Sequence, residues 1–127
     1  MSNDAELSPS TLVQEIWASH FKVVGAKRYA HLAANPKEAL RRYQNDTAQE
    51  PGLRFNLVET LQLLAAALEL ANSALEIYKT LSKQKPKVEL RALDSAVREA
   101  VANDPQIAPL LDTAEYKRLI THVTSMT

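Results

Sequence analysis

The residues best suited to acid–base or metal chemistry are three histidines, His20, His31 and His122. No two of them have the i, i+4 spacing with which a helix presents zinc ligands, and the chain has no cysteine. Glycine occurs only at positions 25 and 52, which excludes a glycine-rich phosphate loop. We therefore predict no catalytic, metal-binding or cofactor-binding residue and expect that the protein is not an enzyme.

One pair of residues offers an alternative. Arg118 and His122 lie about one helical turn apart, with three residues between them. The pair resembles the Arg–His pair of helical ribonucleases of the HEPN type, in which the intervening segment is longer. The resemblance implies a small nuclease that uses Arg118 and His122, whereas the simpler interpretation is a histidine near the end of a surface helix.

Positive charge is clustered near the first third of the chain. Residues 22–42 contain only Glu38 as an acid. The candidate basic patch consists of Lys22, Lys27, Arg28, Lys37, Arg41 and Arg42. On one contiguous face these residues could bind nucleic acid, but a solvated surface is the favoured explanation. A small nucleic-acid-binding protein is therefore an alternative, and nucleic acid is not the favoured partner.

The composition is that of one globular helical domain in a reducing compartment. The chain has 127 residues, of which 46% are hydrophobic and 24% charged, and its 15 basic residues balance its 15 acidic residues. The polar N-terminus does not resemble a secretion signal, and the lack of cysteine fits the cytoplasm. We expect residues 1–7 to be disordered and residues 8–127 to form a single helical domain.

The stretch from Asn56 to Leu81 predicts one long central helix with two apolar stripes. The first stripe comprises Leu57, Leu61, Leu64, Leu68, Ala71, Leu75 and Tyr78. The second stripe comprises Leu63, Ala67, Leu70, Ala74, Ile77 and Leu81. A surface helix needs only one such stripe, so both sides of this helix require neighbours. Recurring glutamates (Glu59, Glu69, Glu76) argue against insertion of this helix into a membrane.

Two apolar stripes favour binding to another protein chain. The candidate partner-binding residues are Leu57, Leu61, Leu64, Ala67, Leu68, Ala71, Ala74, Leu75 and Tyr78. The predicted function is a non-catalytic protein–protein interaction module or adaptor that self-associates as a homodimer through this helix. The alternative is that helices predicted at 9–24, 89–102 and 113–124 cover both stripes within one chain.

The surrounding segments predict an all-α bundle around the central helix. Ser8-Pro9 and Asn35-Pro36 are helix starts, Gly25 is a helix stop, and Asp112 with Glu115 has the spacing of a capping box. Period-two alternation at 53–57 allows a short strand there, and residues 87–91 pose the same choice between strand and helix.

Residues 12–60 resemble the nitrile-hydratase-like leader peptides of ribosomally made natural-product precursors. The similarity rests on Trp17 in the opening helix, the Leu32…Asn35-Pro36-Lys37-Glu38-Ala39-Leu40 corner, and the segment Gly52–Thr60. It implies a recognition domain for a modifying enzyme or transporter. Leu53, Phe55 and Leu57 would then dock as an added strand.

Overall fold

The computed structural model describes residues 8–44 and 57–125, which form seven α-helices and a short 3-10 helix. The α-helices are α1 (Pro9–Ile16), α2 (Ala18–Val24), α3 (Ala26–Ala34), α4 (Pro36–Gln44), α5 (Leu57–Gln84), α6 (Leu90–Val101) and α7 (Ala114–Thr124). The 3-10 helix spans Ala108–Asp112. No strand occurs within these two ranges, so the all-α prediction is confirmed.

The first predicted helix is interrupted once, at Trp17. Ser8 caps α1 by accepting a hydrogen bond from the Thr11 N–H (3.2 Å), as Ser8-Pro9 predicts. Trp17 leaves the helical region (φ −100°, ψ 46°) and its side chain is buried. The turn directs α1 against α5 and α7 and directs α2 against α5 and α3. A straight helix would have kept both segments on one line.

The long helix α5 is unbroken and is contacted by each of the other α-helices. All residues of the first stripe are buried, as are Ala67, Leu70 and Ala74 of the second. Leu63, Ile77 and Leu81 are half-buried and pack against the same core. Both stripes are therefore covered within one chain, which is the alternative that the sequence left open.

Helix α6 settles the choice at 87–91 in favour of a helix start. Val88 and Glu89 precede α6, and Leu90 is already its first residue. Leu93, Val97 and Val101 are buried, whereas Leu90 and Ala100 are exposed. At 53–57, where the sequence allows a short strand, Leu57 is helical and the other residues lie outside the described part of the chain.

The N-cap of the last helix lies one residue after the predicted cap, Asp112. Thr113, not Asp112, accepts the Tyr116 N–H at 3.2 Å. The buried residues of α7 are Tyr116, Leu119, Ile120 and Val123. Buried side chains from all seven α-helices form one apolar cluster with α5 at its centre.

Candidate functional site

A sharp turn at Gly25 joins α2 to α3. Gly25 has a φ of 89° and a ψ of 154°, a conformation that residues with a side chain rarely adopt. Its N–H bonds the Phe21 carbonyl (2.8 Å), and its carbonyl accepts the Tyr29 N–H (3.0 Å). One residue thus ends α2 and begins α3, and the N-terminus of α3 has no side-chain cap.

A second one-residue turn, at Asn35, folds α4 back along α3. The Asn35 N–H bonds the His31 carbonyl (2.9 Å), and its Oδ1 accepts the Glu38 N–H (3.2 Å). This is the cap that Asn35-Pro36 predicts. The fold-back brings the last turn of α4 beside the first turn of α3.

Tyr43 of α4 organises the charged groups at this corner. Its ring is buried and its hydroxyl is hydrogen-bonded to His31 Nδ1 at 2.5 Å. The guanidinium carbons of Arg28 and Arg42 lie 5.7 and 5.8 Å from the centre of the ring. Arg28 Nη1 also donates to the Val24 carbonyl at 3.2 Å. Cation–π contact and this hydrogen bond hold the two guanidinium groups near one another.

These residues line an open cleft of about 500 Å³, which we call the basic cleft. Its lining residues are Val24, Gly25, Ala26, Lys27, Arg28, Arg42 and Tyr43. Three of them are cations, and none of these lining residues is an acid. Arginine presents a planar set of donors that matches carboxylate and phosphate oxygens, so the basic cleft is suited to an anion.

The predicted basic patch is therefore divided by the fold. Lys27, Arg28 and Arg42 meet at the basic cleft, whereas Lys22, Lys37 and Arg41 do not line it. Arg41 instead pairs with Glu38 at 2.9 Å, and both side chains are largely exposed. The sequence interpretation missed Tyr43, whose contacts with Arg28 and His31 depend on the packing of α4 against α3.

The predicted partner-binding residues lie in the core. Leu57, Leu61, Leu64, Ala67, Leu68, Ala71, Ala74, Leu75 and Tyr78 are all at most 8% exposed in the single chain. Their apolar periodicity is accounted for by packing against the chain's own helices. The premise that α5 carries more apolar surface than its own chain covers is not met.

Of the leader-like segment, Leu53 and Phe55 lie outside the described residues. Leu57 is the first residue of α5 and is buried. If the leader-like segment docked as a strand on a partner's sheet, Leu57 would have to leave both helix α5 and the core. The leader-peptide resemblance stays a prediction.

The Arg118–His122 pair lies on α7 beside a cleft of about 520 Å³. Across the cleft are Glu15 and Ile16 of α1, and Lys117, Thr121 and Ser125 complete its lining. Arg118 and His122 are exposed. The nuclease alternative thus rests on two solvated side chains, and it stays a hypothesis.

A hydrogen-bonded network joins α6 to α7. The Tyr116 hydroxyl donates to Asp94 Oδ1 at 2.6 Å, and Arg98 Nε donates to the same oxygen at 2.8 Å. Burial, and then the hydrogen bond to Asp94, raises the pKa of Tyr116. The hydrogen bond to Asp94 raises the pKa of Arg98. Every group in the network has a partner, which fits a role in joining the two helices.

Within residues 8–44 and 57–125 there is no group of three or more metal-ligating side chains. No helix in these ranges is both long enough and apolar enough to cross a membrane. No family model, curated protein or solved structure matches this chain. The basic cleft, argued from geometry and charge, is thus the strongest candidate site.

Proposed function

We propose that this protein is a non-catalytic helical domain that binds another protein, and that it holds an anionic group of that partner in the basic cleft. The observation that carries the proposal is the meeting of Lys27, Arg28 and Arg42 in one concavity. A concave wall concentrates the field of its charges, because it limits the access of water and salt.

The two arginines are placed before any partner arrives. Arg28 and Arg42 both rest on the Tyr43 ring, and the hydroxyl of that ring is anchored on His31. A long side chain that is already positioned loses less conformational entropy when it binds. The basic cleft therefore favours binding more than the same charges would on free surface side chains.

A protein partner is favoured over single-stranded nucleic acid. Single strands are commonly bound by stacking bases on exposed aromatic rings. Of the aromatic residues in the described part of the chain, Trp17, Tyr29, Tyr43, Tyr78 and Tyr116 are buried, and Phe21 is half-buried. A cationic side chain that receives a carboxylate or phosphate group of a protein needs no such ring.

The central helix supports this function as a scaffold. Helices α2, α3 and α4, which build the basic cleft, all pack on α5. The apolar residues of α5 hold the cleft in place from within the core. Binding by this surface, unlike binding by the α5 stripes, does not require the core to open.

The test is a pair of charge-reversed proteins. Lys27→Glu/Arg42→Glu reverses two cations that line the basic cleft, and Lys37→Glu/Arg41→Glu reverses two that do not. Each pair changes the net charge equally. Proteins captured from the host by the wild type would be quantified for both variants, and the best partner would be purified for calorimetry in low and high salt.

We expect the cleft variant to bind the purified partner at least about tenfold more weakly, which corresponds to about 1.4 kcal/mol. The control variant should bind nearly as the wild type does, and wild-type affinity should fall with added salt. Circular dichroism would confirm that both variants are folded. Equal binding by the cleft variant and the wild type would refute the proposal.

A further inference from the structure

The surface between α6 and α7 holds an apolar side chain that folding leaves uncovered. Leu90, the first residue of α6, is 47% exposed, and no other large hydrophobic side chain in the described ranges is exposed. One exposed leucine on a flat surface would need no explanation, but Leu90 lines a pocket of about 260 Å³ together with Ile120 and Thr121 of α7. We call this concavity the α6–α7 pocket, and none of its lining residues lines the basic cleft.

The size of the α6–α7 pocket favours a side chain of another protein over a small molecule. Small-molecule sites occupy roughly 300–1,000 Å³, and the volume of about 260 Å³ lies below that range. One large apolar side chain fits this volume and would lie against Leu90 and Ile120. A buried anchor of this kind commonly supplies most of the binding energy of a protein interface.

Hydrogen bonds within the chain hold the polar part of the pocket wall in place. Asp94, Arg98 and Tyr116 all line the α6–α7 pocket. Asp94 Oδ1 accepts from both the Tyr116 hydroxyl and Arg98 Nε, so these groups already have partners. A wall that is already ordered loses little conformational entropy when an occupant binds. The network therefore shapes the pocket, and it leaves the charge of Asp94 neutralised by Arg98.

The charge beside the pocket is positive. Lys117 lines both the α6–α7 pocket and the neighbouring cleft between α1 and α7, where Arg118 joins it and Glu15 is the one acid among the lining residues. Lys117 and Arg118 are exposed, and neither forms a salt bridge with a residue in the described part of the chain. A carboxylate beside an apolar anchor would therefore meet an unpaired ammonium group. A cation there would find only Asp94, which is bound to Arg98.

We infer that the α6–α7 pocket is a docking site for a segment of a partner protein in which a large apolar residue has an acidic neighbour. The apolar side chain enters the pocket against Leu90 and Ile120, and the adjacent carboxylate pairs with Lys117. This inference goes beyond the proposed function, because it adds a second contact surface that uses no residue of the basic cleft.

The experiment compares three short peptides with blocked ends. Gly-Glu-Phe-Glu-Gly has both features, Gly-Gln-Phe-Gln-Gly lacks the charges, and Gly-Glu-Ala-Glu-Gly lacks the large apolar side chain. Each is titrated into the full-length ¹⁵N-labelled protein at one pH and one ionic strength. The readouts are the backbone signals of Leu90, Lys117 and Thr121, and the signals of Lys27 and Arg42 report separately on the basic cleft. N-acetylphenylalanine amide is titrated in a fourth arm, and the protein alone is diluted in a fifth.

We expect the peptide with both features to shift the signals of Leu90, Lys117 and Thr121. The alanine peptide should bind there at least about tenfold more weakly, because it buries much less apolar surface. The glutamine peptide should bind about two- to fivefold more weakly, which is the range for an exposed ion pair.

Variants of the pocket separate the two contacts. Leu90→Ser should weaken the peptide with both features at least about threefold, whereas Leu90→Met, which keeps an apolar side chain of similar volume, should bind nearly as the wild type does. Lys117→Gln should abolish the preference for the glutamate peptide over the glutamine peptide. Lys83→Gln removes an exposed cation outside the pocket and should keep that preference.

Each failure has its own signature. No shift of the pocket signals at about 10 mM peptide, or shifts that Leu90→Ser does not alter in a folded protein, would overturn the inference. Equal affinity for the two phenylalanine peptides would refute the acidic neighbour. Equally tight binding of N-acetylphenylalanine amide would assign the pocket to a small molecule, and pocket signals that move on dilution alone would assign it to a second copy of the chain. All these results leave the proposed function standing, because they concern none of its residues. Matching thermal transitions would show that the variants are folded.

Discussion

At the scale of single residues, the network of Asp94, Arg98 and Tyr116 joins the consecutive helices α6 and α7. The Asp94 carboxylate accepts from both the Tyr116 hydroxyl and Arg98 Nε. Arg98 also lies over the Tyr116 ring, with its guanidinium carbon 5.1 Å from the ring centre. A buried hydroxyl bonded to a charged acceptor stabilises a fold more than an exposed hydroxyl does.

We expect Tyr116→Phe to lower the free energy of unfolding by about 1–3 kcal/mol, because it removes a hydrogen bond to a charged group. Tyr78→Phe is the matched control, since Tyr78 is also buried but donates no hydrogen bond to a described residue. Its effect should be about 0.5 kcal/mol or less. Urea unfolding measures both, and equal losses in the two variants would contradict the role of the network.

The same hydroxyl predicts a dependence of stability on alkaline pH. Burial and the bond to Asp94 raise the pKa of Tyr116 above its ordinary value of 10.0. The neutral phenol is therefore favoured in the folded state, and its contribution is complete below pH 10. As the pH rises above 10, the unfolded chain releases this proton first, so stability falls.

Tyr116→Phe should remove the part of the stability loss at alkaline pH that the Tyr116 hydroxyl causes. The difference in unfolding free energy between wild type and Tyr116→Phe should shrink from pH 8 to pH 11 as the wild type loses stability. Lysines and the other tyrosines titrate in both proteins and cancel in the difference. A difference that stays constant over this range would show that the Tyr116 pKa is not raised.

At the scale of elements, helix boundaries follow the capping residues, with corrections of one residue. Ser8 and Asn35 cap their helices as predicted, and Gly25 supplies the positive φ that a one-residue turn requires. The exceptions are Trp17, which divides the first helix, and Thr113, which replaces Asp112 as a cap.

The cap of α7 can be tested directly. Thr113→Ala should lower the free energy of unfolding by about 1 kcal/mol, because it leaves the Tyr116 N–H without its acceptor. Asp112→Ala, the change at the neighbouring exposed residue, should cost no more than about 0.5 kcal/mol. Thermal unfolding followed by circular dichroism compares the two, and a larger loss for Asp112→Ala would restore the cap that the sequence predicted.

At the scale of the whole molecule, the central helix is enclosed by its own chain. All the other α-helices pack against it, so the apolar surface from which we predicted a homodimer is buried within the single chain. The proposed binding therefore uses a surface feature, the basic cleft, in which three cations line one concavity.

We expect the wild type to sediment as a monomer over micromolar concentrations. Leu68→Glu should unfold the protein and not merely separate two subunits, because Leu68 lies in the core of one chain. Gln62→Glu, on the exposed side of the same helix, should leave folding unchanged. Sedimentation velocity and circular dichroism check both. If the wild type is a dimer and Leu68→Glu converts it to a folded monomer, the first apolar stripe of α5 forms a dimer interface after all.

The sequence by itself determined the helices, their order and the apolar residues of α5, because periodicity and capping act between residues a few positions apart. It also indicated the six cations from which three form the basic cleft. Only the tertiary structure decided which surfaces stay open, since covering α5 depends on contacts between residues far apart in the chain. The fold-back of α4 on α3 likewise selected Lys27, Arg28 and Arg42 and placed two of them on Tyr43, which no local pattern specifies.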